Sequence, residues 1–170
     1  YNMKNIIFTL ILCSTFITKA QFKSVEWGAS KDIVVKKYGN PIASSDEFIA
    51  YEFDLAGDDV YGYFYFLKDK LYRGGYLLNE NHTNKTEYLN YYHKYKTLLT
   101  KKYGQPTDDE VIWLDDLYKG SSSDWGLAAS VGHLVMYSSW NDGNTKIECS
   151  ISGDNYKVTV KIIYESIELE

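Results

Sequence analysis

Both prolines of the chain close the same phrase, KKYGNP at residues 36–41 and KKYGQP at residues 101–106. Proline cannot continue a helix, glycine supplies the left-handed residue after a last turn, and paired lysines suit the negative end of a helix dipole. The phrase therefore reads as a helix stop. Upstream of the second copy, Tyr88, Tyr92, Tyr95, Leu99 and Tyr103 recur at three- and four-residue spacing, which is one side of a helix. Thr86 is its expected N-cap, and Glu87 suits its positive end. The first copy closes a shorter pattern, with Ser30 as expected N-cap, Asp32 in the first turn, and Ile33, Val34 and Tyr38 as the apolar side. One stop used twice points to an internal duplication.

Aromatic and β-branched runs follow each stop. After the first they span 48–53, 60–67 and 71–79, with turns expected at Asp58-Asp59 and at residues 68–70. After the second they span 111–114, 128–140, 146–152 and 156–164, with hairpin turns at residues 141–144 and 153–155. Tight turns between short strands imply antiparallel pairing. The expected fold is α+β: two tandem helix-plus-antiparallel-meander repeats, with the helices packed on one side of the sheet or sheets. The first repeat covers residues 21–80 (helix, then three strands), a link covers 81–85, the second repeat covers 86–166 (helix, then four strands), and 167–170 is a tail. A lone meander with one helix is marginal, so the halves must share a sheet or stack their sheets.

The first twenty residues read as a secretory signal peptide starting at Met3: Lys4, then an apolar run from Ile6 to Cys13, then Thr18 and Ala20 as the small residues before cleavage at Gln21. The run is too short to span a bilayer, which takes about 20 apolar residues. Lipid anchoring at Cys13 is disfavoured, because Leu12 precedes it where a small residue is required. Without Lys4 and Lys19 the 18 basic residues fall by two against 23 acidic ones, taking the net charge from −5 to −7. That balance opposes nucleic acid or an anionic membrane as partner. Cys149 is then the one remaining thiol, so no internal disulfide can form. No later segment is long and apolar enough for a transmembrane helix. The expected location is periplasmic or extracellular.

The stretch FKSVEWGASKDIV (residues 22–34), then KKYGNP, then LKDKLYRGGYLL resembles a group of secreted bacterial proteins marked by a Trp-Gly-x-Ser helix start and a Tyr-Gly-x-Pro stop. The resemblance continues through YLNYYHKYKTLLTKKYGQP, Trp113, Trp140 and the late VKIIY. In architecture the helix-plus-meander unit is also similar to the small lipoprotein of the outer-membrane assembly machinery and to the tandem repeats of β-lactamase inhibitor protein. Fold analogy carries no function, so the resemblance implies export and no activity.

No catalytic or metal-binding set is expected. His82, His93 and His133 have no partner at metal-ligand spacing. Cys149, alternating with Ile147 and Ile151, reads as a small core hydrophobe. Asp58-Asp59, Asp108-Asp109-Glu110 and Asp115-Asp116 read as solvated turns. The aromatic content is the unusual feature, with 17 tyrosines and four tryptophans. In the run from Val60 to Phe66 alternation sets Phe64 and Phe66 on one side and Tyr61, Tyr63 and Tyr65 on the other. Tyrosine pairs an apolar body with a hydroxyl, which suits a half-wet recognition surface. The expected function is a non-enzymatic interaction module. It binds an envelope or extracellular protein or peptide through an aromatic sheet face or an edge strand, with Tyr61, Tyr63, Tyr65, Trp125 and Trp140 as candidate contacts. A cofactor or small-molecule ligand is not expected. The alternatives are a carbohydrate-binding module, with the tryptophans as sugar platforms, and an enzyme with an unfamiliar site.

Overall fold

A computed structural model describes residues 21–169. The expected leader at 1–20 and the last residue of the tail lie outside the described residues. A short hairpin of β1 (Gln21–Phe22) and β2 (Val25–Glu26) leads into α1 (Lys31–Tyr38) and then β3 (Ala43–Ser44), β4 (Phe48–Leu55), β5 (Asp58–Leu67) and β6 (Lys70–Leu78). Next come α2 (Thr86–Tyr103), β7 (Asp108–Trp113), a 3-10 turn at Ser122–Asp124, α3 (Trp125–Ser130), β8 (Leu134–Asp142), β9 (Thr145–Asp154) and β10 (Lys157–Ser166).

The expected α+β class of two helix-plus-meander repeats is corrected by this arrangement: the molecule is mostly β. Strands β3 to β10 form one eight-stranded antiparallel sheet in the order β3-β4-β5-β6-β10-β9-β8-β7, and the helices are few and short. The joint is the pairing of β10 with β6, where Ile162 faces Tyr76 and Tyr164 faces Gly74. That pairing joins residues far apart in sequence, and no local pattern announces it.

Smaller corrections share one cause, the competition between local propensity and tertiary packing. Thr86 is the first helical residue rather than the cap, and its N–H donates to Asn84 Oδ1. The expected strand at 128–140 begins instead as α3, which seats against the start of α2 so closely that a Cβ on Gly126 would lie about 2.5 Å from the Lys85 and Thr86 backbone. Asp58 does not sit in a turn. The turn is Ala56-Gly57, both at positive φ, and Asp58 opens β5 and is buried, with Lys94 Nζ donating to its Oδ1 at 2.6 Å. Asp108, Asp109 and Glu110 likewise form the start of β7 rather than a turn.

The helices cover one face of the sheet. From the strands come Ile49, Val60, Phe64, Leu134, Ile147 and Ile151, all essentially inaccessible, and α2 lays Tyr88, Leu89, Tyr92, Tyr95 and Leu99 across them. Each such side chain contributes about 1.5–3 kcal/mol on full burial. Phe22, from the N-terminal hairpin, is held among the rings of Phe64, Tyr76 and Tyr164 at centroid distances of 5.1, 5.2 and 5.3 Å. It fits only because β6 has Gly74 beneath it, where a Cβ would come within about 2.1 Å of the ring. Among the described residues no helix is long and apolar enough to cross a membrane.

Candidate functional site

Strand alternation sends every second residue to the face the helices leave bare. On β5 those residues are Tyr61, Tyr63 and Tyr65, all half-buried, while Val60, Gly62, Phe64 and Phe66 point into the core. Their rings form a continuous row. Tyr63 and Tyr65 lie nearly parallel with centroids 6.1 Å apart, and Tyr61 meets Tyr63 edge-on at 6.5 Å. Phe48 on β4, opposite Tyr65 in the ladder, closes one flank at 5.9 Å from both Tyr63 and Tyr65.

The other flank is polar at one end and apolar at the other. Gly75 opposes Tyr63 and removes a side chain from the middle of β6, leaving a depression of about 340 Å³ walled by Tyr63, Tyr65, Arg73, Leu77, Lys161 and Ile163. Arg73 pairs with Glu165 across the β6–β10 ladder, its Nε donating to Oε1 at 2.7 Å and its Nη2 to the same oxygen. Burial, and then the neighbouring Tyr63, push the Tyr65 phenol above its ordinary value. The Tyr65 hydroxyl is therefore a neutral donor and acceptor at physiological pH. The surface offers flat aromatic area, a fixed guanidinium and a pit.

The two tryptophans do not join this face. Trp140 is a correction: it is 1% exposed, on the helix-covered side of β8, and its Nε1 donates to the Gly104 carbonyl at 2.9 Å. A ring so enclosed cannot be a platform; its work is to tie the end of α2 to the sheet. Trp125, half-buried at the start of α3, packs edge-on against Trp113 of β7 at 5.5 Å, also on the helix side.

The three histidines each have different neighbours. His82 is held between Tyr88 and Tyr91 with Nε2 3.2 Å from Glu80 Oε2, His93 lies against Tyr92, and His133 against Tyr118. Among the described residues no three His, Cys, Asp or Glu side chains are grouped to hold a metal ion. Cys149 is fully buried, and burial, with Glu148 adding to it, pushes its thiol up to about 12, so the reactive thiolate is suppressed.

Sequence reasoning missed one polar chain that runs from the core to the surface. The Tyr92 hydroxyl and Ser138 Oγ are 2.8 Å apart, and Ser138 donates its single proton to Asp109 Oδ1 at 2.8 Å, so Tyr92 must be the donor to Ser138. Lys96 closes the chain by donating to both oxygens of Asp109 at 2.7 and 2.6 Å. The chain pins α2 to β7 and β8, and its outer end, Lys96 and Asp109, lines an open hollow of about 510 Å³ together with His93 and Thr100. Its one signal in the sequence is a serine alternating with apolar residues on β8. Compared with known proteins, the chain matches no family model, no curated protein and no solved structure.

Proposed function

We propose that this chain is an exported, non-enzymatic interaction module that recognises a polypeptide through the tyrosine face of its sheet. The observation that carries the reading is the row of Tyr61, Tyr63 and Tyr65, ordered by mutual stacking and half-exposed on a face that none of the helices covers. Tyrosine offers large contact area at a low entropic cost, and the adjoining pit and Arg73 supply a place for an anchoring side chain and a fixed donor. The leader-like first twenty residues support export.

Selection of peptides from a displayed random library tests the reading. Binders are expected to lose about 30-fold in affinity, or about 2 kcal/mol, on Tyr63→Ala with Tyr65→Ala, the scale of losing central aromatic anchors. These positions lie outside the packed core, so circular dichroism should show the fold retained. Binders that hold wild type and the double variant equally well would refute the tyrosine face as the recognition surface.

A further inference from the structure

A second concavity lies on the helix-covered side, at the end of the sheet remote from α3. It is a cleft of about 820 Å³ between the N-terminal hairpin, the last turn of α2, the β8–β9 turn and the end of β10. Its volume is that of a ligand site rather than a packing defect. Three aromatic side chains form its apolar walls: Trp27, Tyr103 and Tyr164. Two of them are fixed in place. Trp27 Nε1 donates to Thr145 Oγ1 at 2.9 Å, and Tyr164 is packed on Phe22 at 5.3 Å and flanked by Tyr103.

The polar wall is what decides the ligand. Lys70 and Lys102 supply donors, while Glu26, Asp142 and Glu168 supply acceptors. An anion entering here would face three carboxylates, and a cation would face two ammonium groups. Two ammonium groups against three carboxylates leave the cleft within one charge of balance, which a neutral guest meets without repulsion, and the lining is then a set of strong donors and acceptors interleaved with rings. Asn144 adds a side-chain amide, able to donate and accept, on the β8–β9 turn. Alternating hydroxyls with flat C–H faces are the chemistry of a sugar, whose faces lie on aromatic rings and whose edges need both donors and acceptors.

We propose that this cleft binds a neutral carbohydrate, stacked on Trp27 and Tyr103 and held at its hydroxyls by Lys102, Asp142 and Glu168. The site stands apart from the tyrosine face, which lies on the opposite side of the sheet. The test is calorimetric titration of the chain with neutral hexasaccharides of glucose (α- and β-linked), mannose and N-acetylglucosamine, with polygalacturonate as the anionic comparison. At least one neutral sugar is expected to bind with a dissociation constant between about 10 μM and 1 mM. Tyr103→Ala should weaken it at least about 10-fold. Asp142→Asn and Glu168→Gln, at exposed side chains whose change cannot unfold the protein, should each weaken it several-fold, and Tyr63→Ala should leave it unchanged. No heat with any neutral sugar up to about 10 mM, binding of polygalacturonate alone, or loss on Tyr63→Ala with the cleft variants intact would each overturn the assignment.

Discussion

Asp109 accepts hydrogen bonds from Lys96 and Ser138 at once, and His93 stands nearby. Burial by itself would raise this carboxyl, but those hydrogen bonds and the positive charge of Lys96 outweigh it and hold the group below its ordinary value of 3.8. A carboxyl depressed in the folded state contributes stability above its unfolded value and loses it as pH falls through the folded value. His93 acts in the same sense higher up. Burial and Lys96 lower it from 6.5, so the unfolded chain takes its proton first and stability declines as pH drops below that value. Asp109→Asn should therefore be less stable than wild type at neutral pH, with the gap closing towards about pH 3, as urea midpoints at the two pH values would show. A constant gap would mean that the charge on Asp109 plays no part. At this scale the sequence was partly legible. The alternation of residues 60–66 placed Tyr61, Tyr63 and Tyr65 together on the side away from the core, because a strand's period of two leaves no other arrangement. Trp140 reads as a platform only while its parity with Leu134 and Met136 is passed over: α3 and the Gly132 turn obscure where β8 begins, but from Leu134 onward alternation sets Trp140 on the core side.

At the scale of elements, the repeated phrase is a pair of helix ends. Both α1 and α2 stop at tyrosine, and Gly39 and Gly104 follow at φ of 81° and 87°, each donating its N–H to the carbonyl four residues back. Neither glycine has a neighbour that a Cβ would strike, so a substitution there costs only backbone strain. Gly104→Ala should lower stability by about 1–3 kcal/mol in urea titration, in line with forcing a side chain into a region open to glycine. An unchanged midpoint would show that the end of α2 can reorganise without penalty. The stop was readable because glycine and proline act locally. What each copy does with its polar atoms was not readable, since that depends on neighbours distant in sequence. Lys37 and Tyr38 of the first copy donate to the backbone carbonyls of residues 23 and 24 in the N-terminal hairpin. Lys102 and Tyr103 of the second copy line the cleft, with the ammonium 4.7 Å from the ring centroid. The same residues lock the N-terminal hairpin in one copy and line the cleft beside that hairpin in the other.

At the scale of the whole molecule, one continuous sheet separates two surfaces of different character. One side carries the helices and, at its end, the cleft; the other is bare and carries the tyrosine row. The sequence could not reveal the continuity, because each hairpin is signalled by its own turn while the pairing of β6 with β10 has no turn to announce it. The cleft was hidden for the same reason, being assembled from the N-terminal hairpin, the end of α2, the β8–β9 turn and the end of β10. The strand order also sets a timetable. The last of the described strands in chain order, β10, occupies a central place in the sheet between β6 and β9. Until residues 157–166 are available, the strands before and after α2 form two separate edges with nothing between them, and the sheet cannot close. A chain ending at residue 155 should accordingly show no cooperative urea transition, and a sharp one would mean that the earlier strands hold together alone. A sheet whose central strand comes last in chain order cannot be assembled piece by piece from one edge, so its closure is a single event rather than a succession.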